Sequence, residues 1–380
     1  MSRRLRLGMV GGGEGAFIGA VHRMAARIDD QWELVAGAFQ SNAVKSKAFG
    51  QSLNLSADRC YGDYGAMAKA EATRADRIDA VSIVTPNHLH HAVAKVFLDA
   101  GIPVICDKPL TINSTDAEDL AAKVKASGLP FVLTHNYSGY PMVRQTRAMI
   151  EAGQLGKLRV IQVEYAQDWL ATDLKDQKQA DWRGDPKRAG PGGALGDIAT
   201  HAFHLAEFVS GTKAKELAAD LSTFVPGRRV DDNVNVMLRF DGGAKGMLWA
   251  SQVAAGKANG LQLRIYGERA GLEWSQEHPE ELRFAPLNEA PRILRRGGPG
   301  ISASAQRATR LPPGHPEGYL EGFAQIYSDA AELVRAHHDK RKPDPLALLV
   351  PGVADGVRGV RFIEAAVASS GKNGAWTALG

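Results

Sequence analysis

Cysteine is scarce in this 380-residue chain: there are two, Cys60 and Cys106. Two thiols cannot form a disulfide framework or a cysteine-rich zinc site, and such usage suits a reducing, cytoplasmic compartment. No run is long and apolar enough to span a bilayer. Arg3-Arg4 resembles the start of an export signal, but a short strand and a glycine turn follow it instead of an apolar signal core. An excess of one charge is also lacking: the formal net charge is +4. The basic groups Arg228-Arg229, Arg292/Arg295/Arg296 and Lys340-Arg341-Lys342 are short and scattered. They read as solvated loops and make no case for nucleic acid. No repeat of solenoid or propeller type is present. His88, His90 and His91 have no accompanying carboxylate or cysteine cluster, so no metal site is expected.

What remains is ordinary globular composition, 44% hydrophobic and 23% charged, in a chain long enough for roughly two domains. Leu5–Val10 reads as a buried strand ending in Gly11-Gly12-Gly13-Glu14-Gly15-Ala16-Phe17-Ile18-Gly19, with a helix expected from Ala20 to Ile28. Strand, glycine turn and helix form the context of a dinucleotide fingerprint. Glycines let the backbone approach a pyrophosphate, and a helix start offers free N–H groups and a positive dipole end. Gly11, Gly13, Gly15, Ala16, Phe17 and Ile18 are therefore candidate cofactor contacts. After the second strand, Leu34–Phe39, an NAD site usually presents Asp or Glu to the ribose. Here Gln40-Ser41-Asn42 follows. Ser41 and Asn42 can bond ribose hydroxyls, and no carboxylate repels a 2′-phosphate, so NAD is expected with NADP left open.

Two further strands end in polar turns, where open α/β sheets bind ligands. Ile78–Val84 runs into Thr85-Pro86-Asn87 and on to His90, and Pro103–Cys106 into Asp107-Lys108-Pro109. Thr85, Pro86, Asn87, His90, Asp107 and Lys108 are counted on the cofactor side. The Lys108 ammonium can also hydrogen-bond a substrate hydroxyl and favour its alkoxide. The strand–helix alternation up to Asn136 predicts a doubly wound parallel sheet.

Beyond Tyr137 the pattern changes. Leu158–Tyr165, Asn233–Phe240, Ala244–Trp249 and Leu261–Tyr266 alternate as half-exposed antiparallel strands with one open face. An open face needs a cover, so a homodimer or homotetramer through this sheet is expected. Residues 292–313 read as a long loop, followed by a helix from Tyr319 through Arg335. Trp182 and Arg183 open a polar, aromatic and basic stretch that leads to Gly193-Ala194-Leu195-Gly196-Asp197-Ile198-Ala199-Thr200-His201. On a helix starting near Gly196, Asp197 and His201 share a face, and a carboxylate beside an imidazole is an acid/base pair.

In this order, the glycine-rich turn, Thr85-Pro86-Asn87, Asp107-Lys108-Pro109 and Gly193–His201 resemble the glucose–fructose oxidoreductase/inositol dehydrogenase family (Gfo/Idh/MocA). The resemblance covers nearly the whole chain. Its usual Glu-Lys-Pro appears here as Asp-Lys-Pro, and Gly19 and His22 match a later Gly-x-x-His. It implies an NAD(P)-binding Rossmann domain over residues 1–136. A substrate-binding and oligomerisation domain with an open-faced, mainly antiparallel sheet would occupy 137–380. The implied activity is oxidation of a secondary hydroxyl of a sugar, sugar derivative or cyclitol. His201 would be the general base, Lys108 the alkoxide stabiliser and Asp197 the orienting group, with Tyr137, Trp182 and Arg183 beside the substrate. An NAD-dependent glycosidase acting by transient oxidation and elimination would use the same residues. A non-catalytic cofactor-binding regulator would have no need of Lys108 or His201.

Overall fold

The computed structural model describes residues 3–174 and 182–380. They form two compact units: Met1–Asn136 with Tyr319–Val357, and Tyr137–Gly318 with Arg358–Gly380.

The first unit is built on five parallel strands in the order β2-β1-β3-β4-β5. These are β1 (Leu5–Gly11), β2 (Trp32–Ala38), β3 (Ala80–Val84), β4 (Val104–Cys106) and β5 (Phe131–Leu133). All five residues of β3 are buried, as expected of a central parallel strand covered on both faces. The order steps outward from β1 in both directions. The crevice at the carboxyl ends of β1 and β3 is thus the switch point where ligands bind in such sheets. Helices α1 (Phe17–Ile28), α2 (Ala43–Ser52), α3 (Tyr64–Thr73), α4 (His90–Asp99) and α5 (Ser114–Ser127) connect the strands. Helix α1 begins three residues earlier than its apolar periodicity indicated, directly after Ala16.

One sequence expectation is corrected here. Residues 137–380 do not form a single unit, because Tyr319–Val357 packs with the first. The helix Tyr319–His338 buries Phe323, Tyr327, Ala330 and Val334 against Leu5, Val21, Ala25 and Trp32 of that unit. These positions recur at helical spacing, which marks an apolar face without saying which sheet will cover it. The Trp32 indole N–H donates to the Tyr327 carbonyl at 2.8 Å.

The second unit opens with α6 (Pro141–Glu151) and β6 (Leu158–Ala166) and includes α7 (Thr200–Ser210). Its sheet continues with β7 (Ala214–Ser222), β8 (Asn233–Phe240), β9 (Lys245–Ser251), β10 (Gly260–Gly267), β11 (Ala270–Ser275), β12 (Glu281–Pro286), β13 (Arg292–Arg295) and β14 (Thr377–Ala378). The spatial order is β13-β12-β11-β10-β6-β9-β8-β7-β14. Pairing is antiparallel except between β6 and β9, which run parallel with Val163 opposite Leu248. Residues 292–313, expected to be a loop, contain β13 and a helical turn Ala303–Arg307.

Alternation along β8 buries Val234, Val236, Leu238 and Phe240. On the same unit Phe203 of α7 stacks on Phe362 with ring centroids 4.2 Å apart. The opposite face of the sheet stays open: Met237 and Met247, paired across β8 and β9, are 54% and 57% exposed.

Of the basic positions expected in solvent, Arg296 is buried and Arg228 is half-buried. Arg296 reaches Glu280 at 2.7 Å and Glu317 at 2.9 Å, and Arg228 reaches Asp232 at 3.0 Å. A guanidinium leaves water when carboxylates replace its hydration; Asp232 is four residues from Arg228, whereas the partners of Arg296 lie too far along the chain for local composition to reveal. Among the described residues no helix is long and apolar enough to cross a membrane.

Candidate active site

In the first unit the glycine turn is shaped by what it must not carry. A Cβ on Gly11 would lie 2.6 Å from the Val84 carbonyl oxygen, and one on Gly13 would lie 2.8 Å from that of Phe39. Gly11, Gly12 and Gly15 have positive φ, a region that L side chains avoid. The Ala16 N–H closes the turn on the Gly13 carbonyl at 3.0 Å. Helix α1 then starts at Phe17 and Ile18 with no side-chain cap and no acidic residue in its first turn. A helix start in that condition suits an anion.

Thr85 and Pro86 follow β3, and the Thr85 Oγ1 is buried with no hydrogen-bond partner among the described residues. A cradle that a Cβ would fill, an uncapped helix start and an orphaned hydroxyl at the switch point fit a dinucleotide. Asn87 is 7% exposed in the turn after Pro86. Ser41 and Asn42 are exposed beyond β2, where the Asn42 carboxamide caps α2 by accepting the Lys45 N–H at 3.0 Å.

His90 departs from expectation. It has no exposed surface, and its ring nitrogens face the Thr85 carbonyl at 2.9 Å and the Pro109 carbonyl at 2.8 Å. Burial holds its pKa down. A side chain without exposed surface touches no ligand, so His90 braces the two strand-end turns from inside.

Asp107 and Lys108 are half-buried at the end of β4. One Asp107 oxygen accepts the Lys108 N–H at 2.9 Å and the Thr134 hydroxyl at 2.7 Å. The other lies 3.9 Å from His22 Nε2, beyond hydrogen-bond reach. His22 is wholly buried, and its Nδ1 meets the Tyr327 hydroxyl at 2.8 Å and Ser82 Oγ at 3.2 Å. Burial keeps the ring neutral, with its pKa lowered to about 4.

Asp197, His201, Tyr137, Trp182 and Arg183 belong to the second unit. Asp197 sits in a π-helical turn, Leu195–Ala199, that runs directly into α7. The expected helix is therefore present with one wider turn, so Asp197 and His201 are not a plain i,i+4 pair. One Asp197 oxygen accepts from Arg183 Nε at 3.2 Å and from Gln252 Nε2 at 2.9 Å. The Arg183 guanidinium also lies 4.4 Å over the Trp182 ring. His201 is 8% exposed and makes a T-shaped contact with Tyr137, ring centroids 4.9 Å apart. Tyr137 hydrogen-bonds Tyr165 through their hydroxyls at 2.5 Å, and Tyr165 donates to Asn259 at 2.8 Å.

Arg183, Gly193, Arg228, Arg229, Asp231 and Gln252 line a cavity of about 470 Å³ in this unit. Gln252, Asp231, Tyr165 and Asn259 carried no sequence signal, since they come from strands and loops read only for their periodicity.

A nucleotide-fitted parallel sheet and a carboxylate–imidazole helix on a second, open-faced sheet are the parts of a dinucleotide-dependent oxidoreductase. Comparison with known proteins narrows this. Residues 5–135 match the model described as oxidoreductase family, NAD-binding Rossmann fold, and residues 143–273 match the GFO/IDH/MocA C-terminal domain. An oxidoreductase of Bacillus subtilis (strain 168), YfiI, is 36% identical over 99% of this chain and 97% of its own. An oxidoreductase structure from Sinorhizobium meliloti is 51% identical over 99% of both chains, with a TM-score of 0.91. An inositol dehydrogenase homolog from Azotobacter vinelandii, complexed with NADH and myo-inositol, is 34% identical with a TM-score of 0.91, covering 100% of this chain and 98% of its own. The chain belongs to the Gfo/Idh/MocA family and is an NAD-dependent oxidoreductase.

Proposed function

We propose that the enzyme oxidises a secondary hydroxyl of a sugar, sugar derivative or cyclitol, with His201 as general base. The observation that carries this reading is the setting of Asp197. Its carboxylate is held by Arg183 and Gln252, on the helical run that also carries a nearly buried His201 walled by Tyr137. Rigid holding of a carboxylate and an imidazole suits proton removal from a weakly acidic hydroxyl. The myo-inositol bound to the Azotobacter vinelandii relative supports a polyol substrate.

When bound, NAD supplies the hydride acceptor. Gly11, Gly13, Gly15, Ala16, Phe17 and Ile18 hold its pyrophosphate, and Ser41, Asn42, Thr85, Pro86 and Asn87 its ribose and nicotinamide sides. His201 takes the hydroxyl proton, and the Lys108 ammonium stabilises the oxygen left behind. Asp197 orients the site, and Tyr137, Trp182 and Arg183 contact the sugar. The exposed Met237/Met247 pair is covered by a second copy of the chain. Buried, unpaired Cys60 and Cys106 suit the reducing cytoplasm.

The test is turnover of a polyol panel, myo-inositol included, with NAD or NADP, followed by absorbance of the reduced cofactor. Lys108→Ala and His201→Ala should each lower kcat by about 10²- to 10⁴-fold. NAD binding should persist in His201→Ala. Full activity in both variants would sink the assigned roles, and aglycone release from glycosides without net reduced cofactor would favour an elimination reaction instead.

A further inference from the structure

The first N–H groups of a helix have no partner within it and are usually capped by a side chain at its start. Ala194, at the head of the run carrying Asp197 and His201, offers no such side chain. Three consecutive N–H groups turn instead to one residue from the loop before β8. The Asp231 carboxylate accepts from Gly193 N at 2.7 Å and Leu195 N at 2.8 Å, and the Asp231 carbonyl accepts from Ala194 N at 3.0 Å. The fit is tight: a Cβ on Gly193 would sit 2.1 Å from the Asp231 carbonyl oxygen. Asp231 is 6% exposed. The next bond, Asp197 N to the Gly193 carbonyl at 2.9 Å, starts the helical ladder from the residue that Asp231 pins. A π-helical turn carries an extra residue per hydrogen-bonded ring. The angle between Asp197 and His201 about the helix axis therefore depends on where the run begins.

We propose that Asp231 is a positioning residue for the reaction: its ionised carboxylate sets the start of this helical run and so aims Asp197 and His201. The inference rests on the proposed roles of that pair. Arg183, Arg228, Arg229 and Asp173 line the same cavity as Asp231, and Asp232 is the neighbouring charge that acts on it. Each arginine has a carboxylate partner: Arg183 has Asp197, Arg228 has Asp232 and Arg229 has Asp185. Burial raises the Asp231 pKa to about 6, against the pull of the Leu195 and Gly193 N–H groups and with the charge of Asp232 adding to the rise. Protonation removes the charge from both hydrogen bonds, so the cap weakens as pH falls through about 6.

Asp231→Asn keeps the volume but turns an amide N–H toward one of the two donors. Hydrogen exchange, read by mass spectrometry on peptides spanning residues 193–201 of the unliganded protein, reports the cap directly. Exchange in Asp231→Asn should be about tenfold faster or more at neutral pH, the effect of losing a charged hydrogen bond. In the wild type, the same peptides should lose protection, relative to intrinsic rates, as pH falls through about 6. That arm needs no variant. With the best polyol of the panel, Asp231→Asn should lower kcat by about tenfold or more and leave KM nearly unchanged.

Wild-type protection that ignores pH, equal exchange in the variant, or a loosened turn with unchanged kcat would each overturn the proposal. Absence of wild-type turnover with every polyol, beside the expected exchange behaviour, would instead sink the substrate reading and leave the cap standing.

Discussion

Two glycine-to-alanine substitutions should move stability in opposite directions, and the geometry says why. Gly19 lies in α1 against the cofactor turn: its Cβ would sit 2.4 Å from both the Cα and the carbonyl oxygen of Gly12. Relief to an ordinary contact near 3.4 Å needs a movement of about 1 Å, and the atoms in the way are backbone. Overpacking of this kind costs about 1–3 kcal/mol, offset by the roughly 0.5–1 kcal/mol that alanine gains over glycine inside a helix. With backbone in the way the cost lies toward the upper end, so Gly19→Ala should be destabilised by up to about 2.5 kcal/mol. The same displacement moves the N–H groups at the start of α1 away from the proposed pyrophosphate position. Loss of one charge-assisted hydrogen bond weakens NAD binding by about ten- to a hundredfold. Gly359, inside the helix Val353–Ser370, has nothing within 4 Å of its Cβ position. Gly359→Ala should gain about 0.5–1 kcal/mol and bind NAD as the wild type does. Urea unfolding and fluorescence titration with NAD measure both effects. A Gly19→Ala protein with wild-type midpoint and wild-type NAD affinity would refute the close-packing account of the turn.

Stability should also depend on His22. Burial lowers its folded-state pKa from 6.5 to about 4, so between these values the unfolded chain binds a proton that the native chain does not. The contribution of neutral His22 is complete above pH 6.5 and lost as pH falls toward 4, at up to about 1.4 kcal/mol per pH unit. His22→Leu leaves Ser82 and Tyr327 bonded to each other at 2.9 Å and should flatten that slope; equal slopes by urea unfolding would contradict the assignment. On the open sheet, Met237→Glu with Met247→Glu places like charges on directly paired strand positions. Light scattering on the eluted protein should show a smaller assembly than the wild type, and an unchanged mass would exclude this face as the contact.

Much of the candidate site was legible because its signals are local. Gly11, Gly13 and Gly15 mark a turn that only glycine enters cheaply, and Thr85-Pro86-Asn87 and Asp107-Lys108-Pro109 punctuate strand ends. His90 was misjudged for the same reason. A histidine after such a turn looks ligand-facing until the buried carbonyls of Thr85 and Pro109 are seen on either side of its ring. Arg296 looked solvated because its carboxylates, Glu280 and Glu317, lie 16 and 21 residues away.

The sequence by itself determined the strand–helix alternation of the first 136 residues and four of the strands of the second sheet, since a period of two or of 3.6 residues is written into the order of apolar side chains. It also placed the glycine–aspartate–histidine run on a helix. Tertiary structure alone decided that Phe323 and Tyr327 serve the first unit's core, because an apolar face accepts any apolar cover of the right shape. It also decided how the helix of Asp197 and His201 begins. A backbone N–H seeks the nearest acceptor in space, and that acceptor, Asp231, stands 38 residues from Gly193 in sequence but 2.7 Å away in the fold.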